Sequence, residues 1–351
     1  MIVPCWAVDD KLAQRMRALL TQSYADYEVV FAVGSRTDPA YPVLRELATG
    51  SARARVVVAG VASECSQQNL NMAAGAQAVG DAEVLAFADS DADFSPRWLS
   101  EMVAPLENPV VGLTTGLAWL THHGPGVWPR ATAWAINTYT ITYFARARSR
   151  FAAGVSLAMR AETFRRLRVA EIWTRTACDD SPVVSELARR GLDVVFVPEA
   201  LVDSPVDVSG FRGCVRWLYR QFLNAKVYAP GRYWPNALPG MAEVVSVSLA
   251  PLLALAAVPV PGLRPFALAA AGLLIVRTAA GAIVCRGLER HDTIRYAYLE
   301  YLGTVLFIAA GTLAAFGRRF EWAGKIYTLK SPRRTTVSDT EKQPTDDDTT
   351  S

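Results

Sequence analysis

Two aspartates that follow an apolar run have the clearest capacity for chemistry in this sequence. The run Val84–Ala88 contains only apolar side chains and leads directly into Asp89-Ser90-Asp91. It predicts a buried β-strand, and in open α/β sheets the carboxyl ends of strands line the crevice where ligands bind. Side chains at i and i+2 point the same way in a strand, so Asp89 and Asp91 can converge on one cation. Mg²⁺ or Mn²⁺ suits such carboxylates, because these ions leave room for phosphate oxygens.

A calcium loop and a solvated acidic turn are the alternatives for the same aspartates. Asp89, Asp91 and Asp93 have the spacing that opens an EF-hand loop. Phe94 stands where that loop requires glycine, and Ser100 stands where it requires glutamate. The calcium loop is therefore excluded, whereas the solvated turn stays open on the aspartates alone.

Acidic residues also occur at two other predicted loop positions. Asp38 follows the second predicted strand, and Asp179-Asp180 precedes a predicted helix. A carboxylate at either place has an ordinary structural explanation. Asp38 fits a turn before Pro39, and an aspartate before Ser181 fits a helix cap.

A basic segment follows near the end of the soluble part of the sequence. It reads Arg212-Gly213-Cys214-Val215-Arg216-Trp217. Arg212 and Arg216 are at i and i+4, so they share one face of a helix, and guanidinium groups bind phosphate oxygens in a bidentate manner. A basic helix at a membrane surface is the alternative, because further basic residues continue the run. Trp217 could likewise be a membrane-interface anchor.

Strand and helix patterns alternate through the first half of the chain, which predicts an α/β fold. The predicted strands are 2–8, 27–33, 54–59, 84–88, 110–120, 154–159 and 193–197. The predicted helices are 9–23, 40–48, 63–79, 128–148 and 180–190, the last ended by Gly191. No Gly-x-Gly-x-x-Gly sequence and no Walker loop follows a strand, which argues against dinucleotide-binding and P-loop folds.

Composition limits the classes of function. The net charge of the 351 residues is only +3, which argues against a nucleic-acid partner. The five cysteines have no metal-ligand spacing and are expected to be reduced thiols in a cytosolic domain. The first residues read as a strand, so we expect no cleavable signal peptide.

Long apolar stretches dominate the chain after about residue 237. Met241–Val258, Pro265–Cys285 and Tyr298–Phe316 are each near the length of about 20 residues that crosses a bilayer. Arg277 lies inside the second stretch and needs a polar partner. The tail from Ser331 onward is polar and is expected to be disordered.

Taken in order, these groups resemble a known enzyme family. The order of Asp38, Asp89-Ser90-Asp91, the Asp179-Asp180 pair and the basic segment resembles the D, DxD, D, (Q/R)xxRW signature of membrane-bound inverting glycosyltransferases of family 2 in the broad sense. Arginine at the start of the last element makes the chain most similar to the ceramide glucosyltransferase branch, family 21. The segment from Trp322 to Tyr327 resembles that branch's Trp-x-x-Gly-Arg-Tyr element.

The resemblance implies a fold, a reaction and a set of site residues. It implies a GT-A domain, a Rossmann-like nucleotide-diphospho-sugar transferase, followed by C-terminal membrane helices. The implied roles are Asp91 as metal ligand, Asp38 and Asp89 in donor binding, Arg212 and Arg216 on the diphosphate, Trp217 at the acceptor entrance, and Asp180, with Asp179 as its rival, as catalytic base. The cofactor is then Mg²⁺ or Mn²⁺.

Two departures from the family pattern bear on these roles. Gln68 stands where the family often has a lysine, so one donor contact is expected to be missing. The N-terminal membrane helix of the ceramide enzymes does not precede the first predicted strand, either because the protein lacks it or because this sequence starts late.

These observations divide the chain into five predicted segments. They are a GT-A domain at 1–210, an interfacial segment at 211–238, transmembrane or re-entrant helices at 239–318, a membrane-proximal element at 319–330 and a disordered tail at 331–351. The expected function is transfer of a sugar from a nucleotide-diphosphate donor, such as a UDP-sugar, to a membrane lipid hydroxyl. A processive polysaccharide synthase and a non-catalytic membrane protein are the alternatives.

The expected location is the cell membrane, with several crossings and the catalytic domain in the cytoplasm. Three full crossings would place the basic residues after Phe316 on the outside, against the positive-inside rule. The two prolines and the glycine of Val258–Gly262 could turn the chain back within the membrane. We therefore expect an even number of crossings and a cytosolic tail.

Overall fold

The computed structural model describes residues 1–6, 8–122, 124–144, 151–206 and 208–339. Its main element is a seven-stranded sheet with the strand order β3-β2-β1-β4-β7-β5-β8. These strands are β1 Ile2–Pro4, β2 Val29–Val33, β3 Ala54–Val58, β4 Val84–Ala88, β5 Val111–Thr115, β7 Ser156–Arg160 and β8 Asp193–Phe196. Strand β7 runs antiparallel to both of its neighbours, while the other pairs are parallel.

Helices cover both faces of this sheet, which is why its strands consist of continuous apolar runs. One face is covered by α1 Leu12–Leu20, α2 Ala40–Thr49 and α4 Trp98–Val103, and the other by α3 Gln67–Ala78, α6 Ala161–Arg166, α7 Val169–Trp173 and α8 Ser181–Arg189. Trp98 and Trp173 are fully buried, one on each face. The predicted α/β architecture is confirmed.

The predicted single strand 110–120 is wrong, because it is two strands. After β5 the chain leaves the sheet at Gly116 and forms β6 Ala118–Thr121, which pairs with β9 Val202–Pro205 in a separate sheet. At Gly116 an added Cβ would collide with the carbonyl oxygen of Ala200 and with Ser156. The break therefore requires glycine for close packing.

Helices dominate the second half of the chain. They are α5 Val127–Phe144, α9 Gly210–Tyr228, α10 Pro230–Ser248, α11 Ala250–Ala256, α12 Arg264–Gly287, α13 His291–Ile294 and α14 Glu300–Phe316. Of the described helices, those within 261–287 and 297–316 are long and apolar enough to cross a membrane. The first apolar stretch is instead a bent pair, because α10 and α11 meet at an angle of 43°.

Three charged residues of these apolar helices pair with one another. Arg277 contacts Glu243 at 3.0 Å and Glu300 at 2.8 Å, and Trp134 of α5 donates a hydrogen bond of 2.6 Å to Glu300. The polar partner that the sequence required for Arg277 is thus supplied by both neighbouring apolar segments. The pairing also ties these helices to α5.

The expectation of a disordered tail is wrong for its first nine residues. Strands β10 Arg319–Trp322, β11 Lys325–Ser331 and β12 Arg334–Asp339 form an antiparallel sheet. Thr335 of β12 is buried, and its hydroxyl lies 2.7 Å from the hydroxyl of Tyr228. The polar sequence of β12 does not predict a strand. The strand is stable because it pairs with β11 and docks on α9. Residues 340–351 lie outside the described part of the chain.

Candidate functional site

A cavity of about 550 Å³ lies at the carboxyl end of β4, between the main sheet and α9. Asp89, Asp91, Asp179 and Asp180 line its polar end. The sequence predicted that these four carboxylates belong to one site, and the fold places them together. Strand ends at the crevice of an α/β sheet provide this position.

Gln68 connects the two pairs of aspartates. Its Nε2 lies 2.8 Å from Oδ1 of Asp89 and 3.4 Å from Oδ2 of Asp179. The first turn of α3 presents this side chain, since Ser66 caps the helix by accepting a hydrogen bond from the backbone N–H of Asn69. A neutral amide therefore occupies the place between the carboxylates where the resemblance implied a lysine.

Side chains of α3 and α7 donate hydrogen bonds to the backbone of the loop that carries Asp179 and Asp180, and they hold this loop in place. The indole N–H of Trp173 donates to the carbonyl oxygen of Asp179 at 2.8 Å, and the amide of Asn69 donates to that of Cys178 at 3.2 Å. Gly154 packs directly against the Asp179 carboxylate, where a Cβ would overlap it. The two carboxylates are thus pre-positioned.

Burial and mutual repulsion raise the pKa of these acids. Burial and then the neighbouring Asp180 raise the pKa of Asp179 to about 7. Burial, followed by the charges of Asp91 and Asp179, raises the pKa of Asp89 well above its usual value. Burial also raises the pKa of Asp180, although hydrogen bonds from Ser181 and Cys178 oppose it. A bound cation would relieve this repulsion, so the residues fit a divalent metal ion.

The third aspartate of the Asp89-x-Asp91-x-Asp93 run has a different environment. Asp93 accepts a hydrogen bond from Nε of Arg15 at 3.2 Å, and Arg15 also contacts Asp9 at 2.5 Å. The side chain of Arg15 is buried. Asp93 therefore anchors α1, whereas Asp91 lines the cavity.

Helix α9 presents different basic residues to the cavity from those that the sequence indicated. Trp217 and Arg220 line the cavity, while Arg212 and Arg216 are exposed in a separate groove. The structure does not bring these two arginines to the carboxylates. Their spacing also differs from the family motif (Q/R)xxRW, because three residues separate Arg212 from Arg216 and the motif has two between its first position and its arginine.

Arg220 is the basic residue that the sequence reasoning missed. Its guanidinium lies 4.7 Å from the ring centroid of Trp322, in a cation–π contact. Burial lowers its pKa, and the charges of Asp179 and Asp91 oppose that shift. Its spacing from Trp217 was an available signal, because residues at i and i+3 share one face of a helix.

Asp38 lies at the end of β2, outside the cavity lining. Its carboxylate accepts a hydrogen bond of 2.9 Å from the backbone N–H of Ala40 and so supports the start of α2. The side chain is half-buried. This geometry is that of a turn aspartate, which was the alternative interpretation of Asp38. Among the described residues, no contact joins Asp38 to the acidic cluster.

The opposite end of the cavity is apolar. Its walls come from α5, α9, α10 and α14 and include Ile136, Phe222, Met241, Val244 and Phe307. Asn224 also lines the cavity, and its buried side-chain oxygen has no hydrogen-bond partner among the described residues. One cavity thus joins an acidic end to an apolar end.

One solved structure shares this architecture over most of its length. A mannosyltransferase from Pyrobaculum calidifontis in complex with GDP-Man and Mn²⁺ matches with a TM-score of 0.53 and 17% identity, over 90% of this chain and 86% of that one. GalNAc-T7 with UDP, GalNAc and Mn²⁺ matches with a TM-score of 0.44 and 14% identity, over 58% of this chain and 43% of that one. The first match shows that the fold is that of a GT-A glycosyltransferase.

Sequence comparisons give the family. No curated protein matches this chain. The family model "Glycosyl transferase family 21" matches residues 1–335, which include the acidic cluster, α9 and most of the C-terminal sheet. The chain therefore belongs to glycosyl transferase family 21.

Proposed function

We propose that this protein is an inverting glycosyltransferase that moves a sugar from a nucleotide-diphosphate donor, a UDP-sugar, to a hydroxyl group of a membrane lipid. The observation that carries this proposal is the single cavity with four carboxylates at one end and apolar helix walls at the other. The acidic end suits a metal-assisted nucleotide sugar. The apolar end suits the chains of a lipid.

The donor end needs groups that stabilise the negative charge of a departing diphosphate. Asp91 and Asp89 would hold a divalent cation, Mg²⁺ or Mn²⁺, which supplies positive charge for the phosphate oxygens. Arg220 adds a permanent positive charge from α9, held in position by Trp322. We assign the diphosphate contact to Arg220 instead of Arg212 and Arg216, because it alone among these three lines the cavity.

The acceptor hydroxyl needs a base on the face of the sugar opposite the leaving group. We propose Asp180 for this role. Gln68 ties Asp179 to Asp89, on the donor side, which leaves Asp180 for the acceptor. The thiol of Cys178 donates to Asp180 at 3.2 Å and helps to orient its carboxylate.

We propose a membrane location with the catalytic domain and the C-terminal sheet in the cytoplasm. The chain leaves this domain after α9 and returns to it at β10, because Tyr219 donates to the carbonyl oxygen of Arg319 at 2.7 Å. Trp322 then lines the same cavity as the aspartates. Both ends of the intervening segment thus lie on one side, which supports an even number of crossings.

The chain that follows α12 also returns to the catalytic domain. Arg290 pairs with Asp203, and Tyr296 donates to the carbonyl oxygen of His122 at 2.9 Å. The excursion into the bilayer is then a hairpin of α10–α11 and α12, with Val258–Gly262 at its tip. Helix α14 lies along the catalytic domain, where it packs against α5 and α9.

A transfer assay tests the proposal. Membranes from an expressing strain would be incubated with Mn²⁺ and a panel of radiolabelled nucleotide sugars, and the organic extract would be separated by chromatography. We expect one labelled lipid that carries a single sugar. Label in a water-soluble polymer would indicate a processive synthase instead. No incorporation from any donor, with UDP–Mn²⁺ binding intact, would favour a binding protein.

A further inference from the structure

A groove on the outer side of α9 carries the two arginines that do not reach the cavity. We call it the arginine groove. It is lined by Phe211, Arg212, Val215 and Arg216 of α9 and by Ala309, Thr312 and Leu313 of α14. The residues that face the opposite way on α9 line the catalytic cavity. One helix therefore separates two different surfaces.

The arginine groove is positively charged, and among the described residues the two helices that form it contribute no acidic side chain to it. Arg212 and Arg216 are exposed, and neither has an ion-pair partner among the described residues. Helix α9 contains no acidic residue, and the single one in α14, Glu300, is buried against Arg277. Two further exposed arginines, Arg318 and Arg319, follow α14. The surface is thus complementary to anions.

Large apolar side chains are exposed beside these charges. The exposed fractions are 37% for Phe211, 55% for Leu313 and 87% for Phe316. At a bilayer surface such apolar groups enter the acyl region while guanidinium groups stay with the headgroups. The combination distinguishes a membrane-facing surface from a site for a soluble nucleotide.

We propose that the arginine groove binds the phosphate headgroup of an anionic membrane lipid. Guanidinium groups match phosphate oxygens in a bidentate manner, and basic residues next to a membrane attract anionic lipids. This inference rests on the proposed membrane location but not on the sugar transferred. Binding at the groove would fix α9 on the bilayer surface, with the catalytic cavity held on the other side of the same helix.

Native mass spectrometry of the full chain in detergent tests this inference. The probes are phosphatidylglycerol and phosphatidylcholine with identical acyl chains. The test variant is Arg212→Gln with Arg216→Gln. The matched control is Arg165→Gln with Arg166→Gln, which removes two exposed arginines from α6 and gives the same net charge.

We expect wild type and control to retain phosphatidylglycerol in preference to phosphatidylcholine. The groove variant should lose about thirtyfold of that preference, which is the effect of two basic residues at an anionic surface. An unchanged preference, or an equal loss in the control, would overturn the inference. A loss of UDP–Mn²⁺ affinity with lipid preference retained would assign the groove to the donor. Failure of the proposed reaction would appear separately, in the transfer assay of the wild type.

Discussion

Arg277 of α12 pairs with Glu300 of α14, with 2.8 Å between Nε and Oε1, inside a layer of apolar helices. Both side chains are largely buried, and Glu243 of α10 adds a second contact at 3.0 Å. Each charge is therefore tolerated only because the others are present. The trio joins three helices that are distant in sequence.

Replacement of Arg277 by methionine should destabilise the protein by about 3–5 kcal/mol, because it leaves two carboxylates without their cation. Thermal unfolding in detergent measures the loss. Arg286→Met, at an exposed position of the same helix, is the control and should have little effect. The triple change Arg277→Met, Glu243→Gln and Glu300→Gln should recover most of the stability. A triple variant as unstable as the single one would contradict the ion-pair explanation.

Asp91→Asn should abolish transfer and reduce Mn²⁺ affinity, since it removes a carboxylate that lines the cavity. Asp93→Asn should leave Mn²⁺ affinity within about twofold and lower stability by at most about 1 kcal/mol, because the amide oxygen still accepts from Arg15 and only the charge of a half-exposed ion pair is lost. Calorimetric titration with Mn²⁺ and UDP compares the two. Similar Mn²⁺ affinities for both variants would contradict the role of Asp91 as a metal ligand.

Arg220→Gln should weaken binding of UDP by about tenfold to a hundredfold, the effect of losing one charge-assisted contact with a phosphate. Arg216→Gln is the matched control, one helical turn earlier and outside the cavity. Fluorescence anisotropy with a labelled UDP analogue gives both affinities. If the control loses more affinity than Arg220→Gln, the motif position and not the cavity identifies the donor contact.

Asp180→Asn should keep donor affinity and lose turnover by about a hundredfold or more, because it removes proton transfer and not binding. Asp179→Asn should instead change the affinity for UDP–Mn²⁺, since Asp179 lies on the donor side beside Gln68. Single-turnover assays with saturating donor separate these effects. The reverse pattern would make Asp179 the base.

The pH dependence of stability gives an independent measure of Asp179. Its folded pKa of about 7 lies above the ordinary value of 3.8, so protons bind more tightly in the folded state. The contribution of Asp179 to the free energy of unfolding is therefore fully present below about pH 4 and is lost as the pH rises toward 7. Without divalent ions, Tm should fall over that interval, and Asp179→Asn should flatten the fall. An unchanged slope in the variant would show that Asp179 is not the titrating group.

Topology can be tested with single cysteines at Ser338 and Gly262 in a background that lacks the native five. A membrane-impermeant maleimide applied to intact cells should not label Ser338, because β12 docks on the catalytic domain through Tyr228. Labelling at Gly262 would report whether the hairpin tip reaches the outside. Labelling at Ser338 before lysis would mean an odd number of crossings.

Local patterns predicted the acidic end of the site well. The apolar run of β4 defines a strand, and the aspartates that follow must lie at the end of that strand. The orientation of α9 could not be predicted in the same way, since a basic helix does not reveal which side faces the core. Packing decides it: Cys214, Val215 and Leu218 are buried beneath the helix, which turns Trp217 and Arg220 toward the cavity. Strand β12 was missed because its stability depends on partners distant in sequence.

The docking of β12 sets an order in which the site can be completed during synthesis. Thr335 contacts Tyr228, whose hydroxyl accepts from the backbone N–H of Ala177 at 2.9 Å, two residues before Asp179. The backbone N–H of Thr335 also bonds to the carbonyl oxygen of Arg175 at 3.1 Å. A chain still emerging from the ribosome can form the main sheet while this loop lacks its last support. The loop that carries Asp179 and Asp180 gains that support only after the helices between α9 and β10 have been synthesised.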